Sequence, residues 1–154
     1  MSVKKVEQKT MENLLELEFK PALDYEKRLV TICSSMKFRY EIRQLRRILK
    51  EHKISFYYPQ IILGQSKRGI SPVIKKRLTM NFLHKIDNSD ILYVLNINDY
   101  IGNSVLLEIG YAFAKKKIII AKEKVKDPDI NAMVTYSLGF NNFVKFLKRK
   151  KITL

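Results

Sequence analysis

One cysteine, Cys33, and two histidines are all the thiol and imidazole the chain carries. A single cysteine excludes an internal disulfide framework, and so small a set of soft ligands argues against a zinc site. Long apolar runs are also missing. Those present are of strand length, such as IIIA at 118–121, whereas a membrane span needs about 20 apolar residues. No membrane-spanning segment is expected. The opening stretch, MSVKKVEQKTMENLLELEF, has no apolar run followed by a small-residue cleavage site, so it does not read as a signal peptide. The expectation is a cytoplasmic protein with no metal site and no cofactor.

The remaining shortage is local. Residues 86–114 contain no lysine or arginine, although 30 of the 154 residues are basic. The window reads IDNSDILYVLNINDYIGNSVLLEIGYAFA and holds four of the fifteen acids: Asp87, Asp90, Asp99 and Glu108. It divides into an apolar strand, a loop with asparagine and glycine, and a helix in which Glu108 is flanked by leucine and isoleucine.

Elsewhere cations dominate. The net charge is +15, and residues 1–27, with five lysines and six acids, contribute none of the excess. A surplus of this size favours anionic ligands such as nucleotide phosphates. The lysines are spread over several helices without interleaved arginine and aromatic residues, so nucleic acid is possible as a partner and not favoured. A lysine-rich composition of the kind an A/T-rich genome produces accounts for the charge equally well.

Apolar spacing from Val6 to Phe19 predicts a helical arm over residues 1–27, ahead of an α/β domain over 28–154. RLVTICS (28–34) reads as a buried strand. Residues 36–52 read as an amphipathic helix, with Phe38, Ile42, Leu45, Ile48 and Leu49 on one face and Arg39, Arg43, Arg46, Arg47 and Lys50 mainly on the other. Residues 54–58 form a second strand, 60–71 a loop, and 72 to about 84–87 a helix begun by Pro72. A third strand covers 91–96, and a third helix covers 104–116 with Ser104 as its N-cap. A fourth strand is expected at 118–121, a helix at about 129–136, a short fifth strand within 139–143 and a basic helix at 142–151. Such alternation implies a doubly wound, mainly parallel sheet of four or five strands with helices on both faces, Rossmann-like or flavodoxin-like. Sheets of this kind bind ligands beyond the carboxyl ends of their strands. The loops after the first strand (Ser34–Lys37) and the third (Asn96–Ser104) are the candidates. Neither has a GxGxxG or P-loop pattern, which disfavours the common dinucleotide and nucleotide triphosphate readings.

VTICSSMKFRYEIRQLRRILKEHKISFYYP and HKIDNSDILYVLNINDYIGNSVLLEIGYAFAKKKIII together resemble the nucleoside 2-deoxyribosyltransferase-like family over residues 28–150. The likeness is carried by I-D-N-S-D before an apolar strand, followed by G-x-S-x-x-x-E-I-G-Y-A. It implies that Glu108 is the catalytic carboxylate at the anomeric carbon and that Asp90 handles the proton of the departing base or holds the ligand. Gly102, Asn103 and Ser104 then approach the sugar or phosphate. Ser34, Ser35 and Lys37 match the loop that holds the 5′-phosphate in the nucleotide N-glycosidase branch. The implied function is cleavage of the N-glycosidic bond of a nucleoside or its 5′-monophosphate, by hydrolysis or by transfer to another base. The implied assembly is a homodimer or larger homo-oligomer. Two alternatives stand beside this reading: a nucleotide-binding sensor without turnover, and an NAD-consuming glycosidase.

Overall fold

The computed structural model describes residues 28–59 and 70–149. The arm at 1–27 and most of the loop at 60–71 lie outside the described residues. Five strands form one parallel sheet: β1 (Val30–Ser34), β2 (Phe56–Tyr57), β3 (Ile91–Leu95), β4 (Ile118–Ala121) and β5 (Tyr136–Ser137). Their order across the sheet is β2-β1-β3-β4-β5, the flavodoxin-like order, whose direction reverses between β1 and β3. A 3₁₀ turn (Met36–Phe38) leads into α1 (Arg39–Glu51). It is followed by α2 (Pro72–Asp87), α3 (Asn103–Ala114), α4 (Pro128–Met133) and α5 (Phe140–Leu147).

β1, β3 and β4 are buried along their whole lengths. They therefore read as continuous apolar runs, as parallel strands covered on both faces do. Successive side chains still point to opposite faces. Ile91, Tyr93 and Leu95 join Val30, Ile32, Ile118 and Ile120 under α1 and α5, whose contributions are Ile42, Leu45, Leu49, Phe143, Phe146 and Leu147. Leu92 and Val94 join Cys33 and Ile119 under α2 and α3, which supply Phe82, Ile86, Val105, Ile109 and Ala112.

Helix ends follow local chemistry. Ser71 accepts a hydrogen bond from Ile74 N–H, with Pro72 in the first turn of α2. Asp127 accepts from the amides of Asp129 and Ile130 at the start of α4. Several expected boundaries move, the second strand shortening from 54–58 to Phe56–Tyr57. α3 begins at Asn103 with Gly102 as its N-cap and no side-chain cap, so Ser104 lies inside the first turn. α4 stops at Met133, because Val134 is extended and the chain enters β5. The fifth strand is therefore Tyr136–Ser137, and residues 140–143 belong to α5, whose apolar face is consumed by the core. No helix among the described residues is long and apolar enough to cross a membrane.

Tyr93 ties the first face together. Its ring stacks on Phe143 at 4.1 Å between centroids, and its hydroxyl donates to the carbonyl of Leu138 at 2.8 Å. Burial raises its pKa, so the phenol remains a donor. Replacing Tyr93 with Phe keeps the stack and strands the carbonyl. A loss of about 1 kcal/mol is expected, read from the midpoint of urea denaturation with an unchanged slope.

Candidate active site

The reversal between β1 and β3 places two loops side by side at the carboxyl end of the sheet. Register matches Cys33 to Val94 and Ser34 to Leu95, so both loops leave at the same level. After β1, Ser35 is extended (φ −64°, ψ 142°) and its Oγ accepts from Lys37 N–H at 3.5 Å. Ser34, 8% exposed, donates to the Ser35 carbonyl at 3.0 Å. The chain then turns tightly into α1.

The loop after β3 is fixed from the side. Asn96 is fully buried, and its side chain pairs with the backbone of Glu123: Nδ2 donates to the carbonyl at 2.8 Å, and Oδ1 accepts from the amide at 3.0 Å. Glu123 Oε2 accepts from Asn98 N–H at 3.0 Å, and Asp99 Oδ1 accepts from Lys126 N–H at 3.1 Å. Asn98 and Asp99 both have positive φ, 51° and 59°, a conformation asparagine and aspartate tolerate better than most residues. The loops after β3 and β4 thus form one hydrogen-bonded unit, and that unit sets where α3 begins.

Tyr100 links this unit to the first loop. Its ring meets Phe38 edge-on at 5.9 Å, and the Lys37 ammonium stands 3.0 Å from its centroid. A cation over an aromatic face is held electrostatically. Gly102 packs under the same ring, where an added Cβ would lie 3.6 Å from the Tyr100 hydroxyl. Lys37, Tyr100 and Gly102 therefore form one contact cluster.

Glu108 is the sole acid in α3. Its neighbours Val105, Ile109 and Ala112 are buried against the sheet, while Glu108 is half-buried. Across the gap to β1, the Cys33 thiol donates to Glu108 Oε2 at 2.7 Å. Burial first, and then the neighbouring carboxylate, push the Cys33 pKa well up. The thiol therefore keeps its proton. A half-buried carboxylate beside the loops at a topological switch point is suited to stabilising positive charge on a ligand.

Ser34, Ser35, Lys37, Gly102, Asn103, Ser104 and Glu108 all lie on the two elements at this end of the sheet. Asn103 and Ser104 are exposed in the first turn of α3. Asp90 does not join them. It precedes β3, where its Oδ2 accepts from Leu29 N–H at 2.8 Å and its backbone pairs with Leu29 and Ile118. The Glu108 carboxylate lies near the level of Val94, four residues further along, or about 13 Å at strand rise. The structure thus sets Asp90, expected to handle the base proton or hold the ligand, apart from the other candidates, at the start of the sheet. Cys33 and Tyr100 are the participants the sequence reading missed. Cys33 was legible in principle as the last inward-facing residue of β1, on the face that α3 covers. Among the described residues, no group of three histidine, cysteine or acidic side chains is placed to hold a metal ion.

No family model matches the chain, and no curated protein matches it by sequence. Solved structures do match in shape. A 2-deoxyribosyltransferase from the psychrotolerant bacterium Bacillus psychrosaccharolyticus aligns with a TM-score of 0.62 at 14% identity, over 81% of this chain and 99% of that one. A conserved protein from Enterococcus faecalis V583 aligns at 0.58 and 15% identity, over 81% and 99%. A 2-deoxyribosyltransferase from Leishmania mexicana aligns at 0.52 and 12%, over 79% and 98%. The chain has the 2-deoxyribosyltransferase-like fold, as its sequence resemblance implies.

Further along, Tyr111 of α3 and Lys115 at its C-cap serve a latch. Tyr111 donates to both Asp87 oxygens at 2.9 Å, and Lys115 lies 3.6 Å from the same carboxylate, joining α3 to the end of α2. Chiefly through the Tyr111 hydrogen bond, the Asp87 pKa is lowered from 3.8. A depressed carboxylate contributes stability above its unfolded pKa and loses it as pH falls through the folded value. Below about pH 4 the melting temperature should therefore fall less steeply in Asp87→Asn than in the wild type. Melting curves across pH 2–6 read the difference; identical slopes would mean that Asp87 carries none of the acid sensitivity.

Proposed function

We propose that the protein cleaves the N-glycosidic bond of a nucleoside or nucleoside 5′-monophosphate, with Glu108 at the anomeric carbon. The observation that carries this reading is the placement of Glu108: the one charged residue of α3, half-buried, at the switch point of the sheet. In the first step a Glu108 oxygen forms a bond to C1′ as the C1′–N bond breaks. The bonding pair leaves on the base nitrogen, which takes a proton from water. In the second step water or another base attacks C1′, and Glu108 departs as the carboxylate. The attacking group gives up its proton to solvent, which restores the balance. Positive charge on the sugar in both transition states is what a negative group in a poorly hydrated site stabilises.

Lys37 carries the charge argument for a phosphorylated substrate. Tyr100 holds its ammonium, the same loop carries the hydroxyls of Ser34 and Ser35, and a 5′-phosphate is the anion such a loop accommodates. Gly102, Asn103 and Ser104 line the sugar side. The deoxyribosyltransferases of the same fold lend support to a nucleoside substrate.

A second copy of the chain is proposed to cover the outer face of α3. Leu106, Leu107 and Phe113 are exposed there, Leu107 by 72%. They lie within the cation-free stretch 86–114 of a chain with net charge +15. Two strongly cationic copies approach most readily through a face without cations. The wild type should sediment as a dimer or larger species, and Leu107→Glu should shift it toward monomer. A wild type that is monomeric at tens of micromolar would remove this assembly.

The activity is tested by chromatography of free base. Wild type and Glu108→Gln are incubated with ribo- and deoxyribonucleosides, their 5′-monophosphates and NAD. Base is expected from nucleosides or monophosphates with the wild type, and the variant should fall by at least about a hundred-fold, the scale on which loss of a key charge-stabilising group acts. Binding without base release would replace this reading with that of a sensor, and nicotinamide as the sole product would replace it with that of an NAD glycosidase.

A further inference from the structure

Cys33 is more than a core residue. It is fully buried at the end of β1, among Val94, Val105, Ile109 and Ala112, yet its sulfur lies 2.7 Å from Glu108 Oε2. A cysteine in an apolar setting ordinarily behaves as a small hydrophobe. Here it faces the one carboxylate of α3, across the boundary between sheet and helix. The strand carrying it is fixed by five residue pairs with β3, so the donor has little freedom to follow the carboxylate. A long, flexible glutamate on a helix surface has several rotamers; a donor fixed in the sheet selects one.

The geometry points to Cys33 as a positioning residue for Glu108: its thiol holds Oε2, sets the plane of the carboxylate and so aims Oε1 at C1′. The inference rests on the catalytic role proposed for Glu108. The thiol gives up neither its proton nor an electron pair at any stage. When Oε1 bonds to C1′, Oε2 becomes the carbonyl oxygen of the glycosyl ester and still accepts the S–H hydrogen bond. When the ester is resolved, charge returns to the carboxylate and the same donor receives it. Nucleophilic use of Cys33 is excluded by its burial and by the neighbouring negative charge, both of which keep it protonated.

Three substitutions separate positioning from packing. Cys33→Val fills the space without a donor. Cys33→Ala removes both bulk and donor. Cys33→Ser keeps a donor but places a hydroxyl in an apolar slot. Stability is expected to favour valine over serine, whereas activity should favour serine over valine. The kcat of the valine and alanine variants should drop about ten-fold with KM unchanged, the low end for a hydrogen bond to a charged group because a thiol is a weak donor. Serine should stay within about three-fold of the wild type.

Because Cys33 is the only cysteine, the protein has a single S–H stretching band, and Raman spectroscopy reads this one bond. The band should move to higher frequency in Glu108→Ala, which has no acceptor. A valine variant as active as the wild type, or a band that Glu108→Ala leaves in place, overturns the inference while the glycosidase reading stands. A wild type that releases no base from any substrate removes the glycosidase reading and the catalytic side of this inference with it. A band that still moves in that case preserves the tether as a structural contact, so the two failures are distinguishable.

Discussion

Parallel pairing of Val30–Ser34 with Ile91–Leu95 sets the level at which both site loops leave the sheet. The pairing runs for five residues without a bulge, and a slip by one residue would turn every side chain of either strand to the opposite face. Cys33 would then face α1, the thiol would lose Glu108, and the two apolar clusters would exchange members. The same register brings Ser34 level with Leu95, so the turn into α1 and the loop into α3 stand next to one another. The candidate site is thus a consequence of strand order and register, with side chains added at the points where the chain leaves the sheet.

Rigidity at that end comes from polar groups. Asn96 has no exposure to water, and it satisfies its amide against the backbone of Glu123 in a bidentate pair. Buried amides of this kind are costly when unpaired and specific when paired. Here the pair fastens the loop after β3 to the loop after β4, and the two left-handed residues Asn98 and Asp99 turn the chain back toward the sheet. Tyr100 and Gly102 follow from that turn, and Lys37 is held over the Tyr100 ring. Lys37 and Glu108 therefore belong to different elements and are held crosswise, the cation by Tyr100 ahead of α3 and the carboxylate by Cys33 of β1.

Much of this was legible from residue patterns. The apolar β-branched runs, the amphipathic α1 and the Ser71–Pro72 start of α2 are local features, and they appear where local chemistry puts them. The position of Glu108 beside a sheet loop followed from α/β alternation together with the resemblance of its flanking motif. Less legible were matters of level and end. Asp90 adjoins the same strand that feeds the site, and sequence proximity does not distinguish the end where a strand starts from the end where it stops. Ser104 has N-cap chemistry, but the clasped loop delivers the chain into the helix at Asn103 instead. The fifth strand is two residues long, too short for any periodicity to register. The Cys33–Glu108 contact joins residues 75 positions apart, and only the packed sheet reveals it.

The central claim, that Glu108 acts on the sugar C1′ of a nucleoside or nucleotide, is tested most directly by following that carbon. Substrate labelled with ¹³C at C1′ would be incubated with the protein and observed by NMR, with Glu108→Gln as the comparison. The account predicts that the glycosidic C1′ signal converts to that of a hemiacetal, or of a new glycoside when a second base is supplied, with the wild type only. A C1′ signal that persists while the ligand is seen to bind, or one that converts equally with Glu108→Gln, would contradict it.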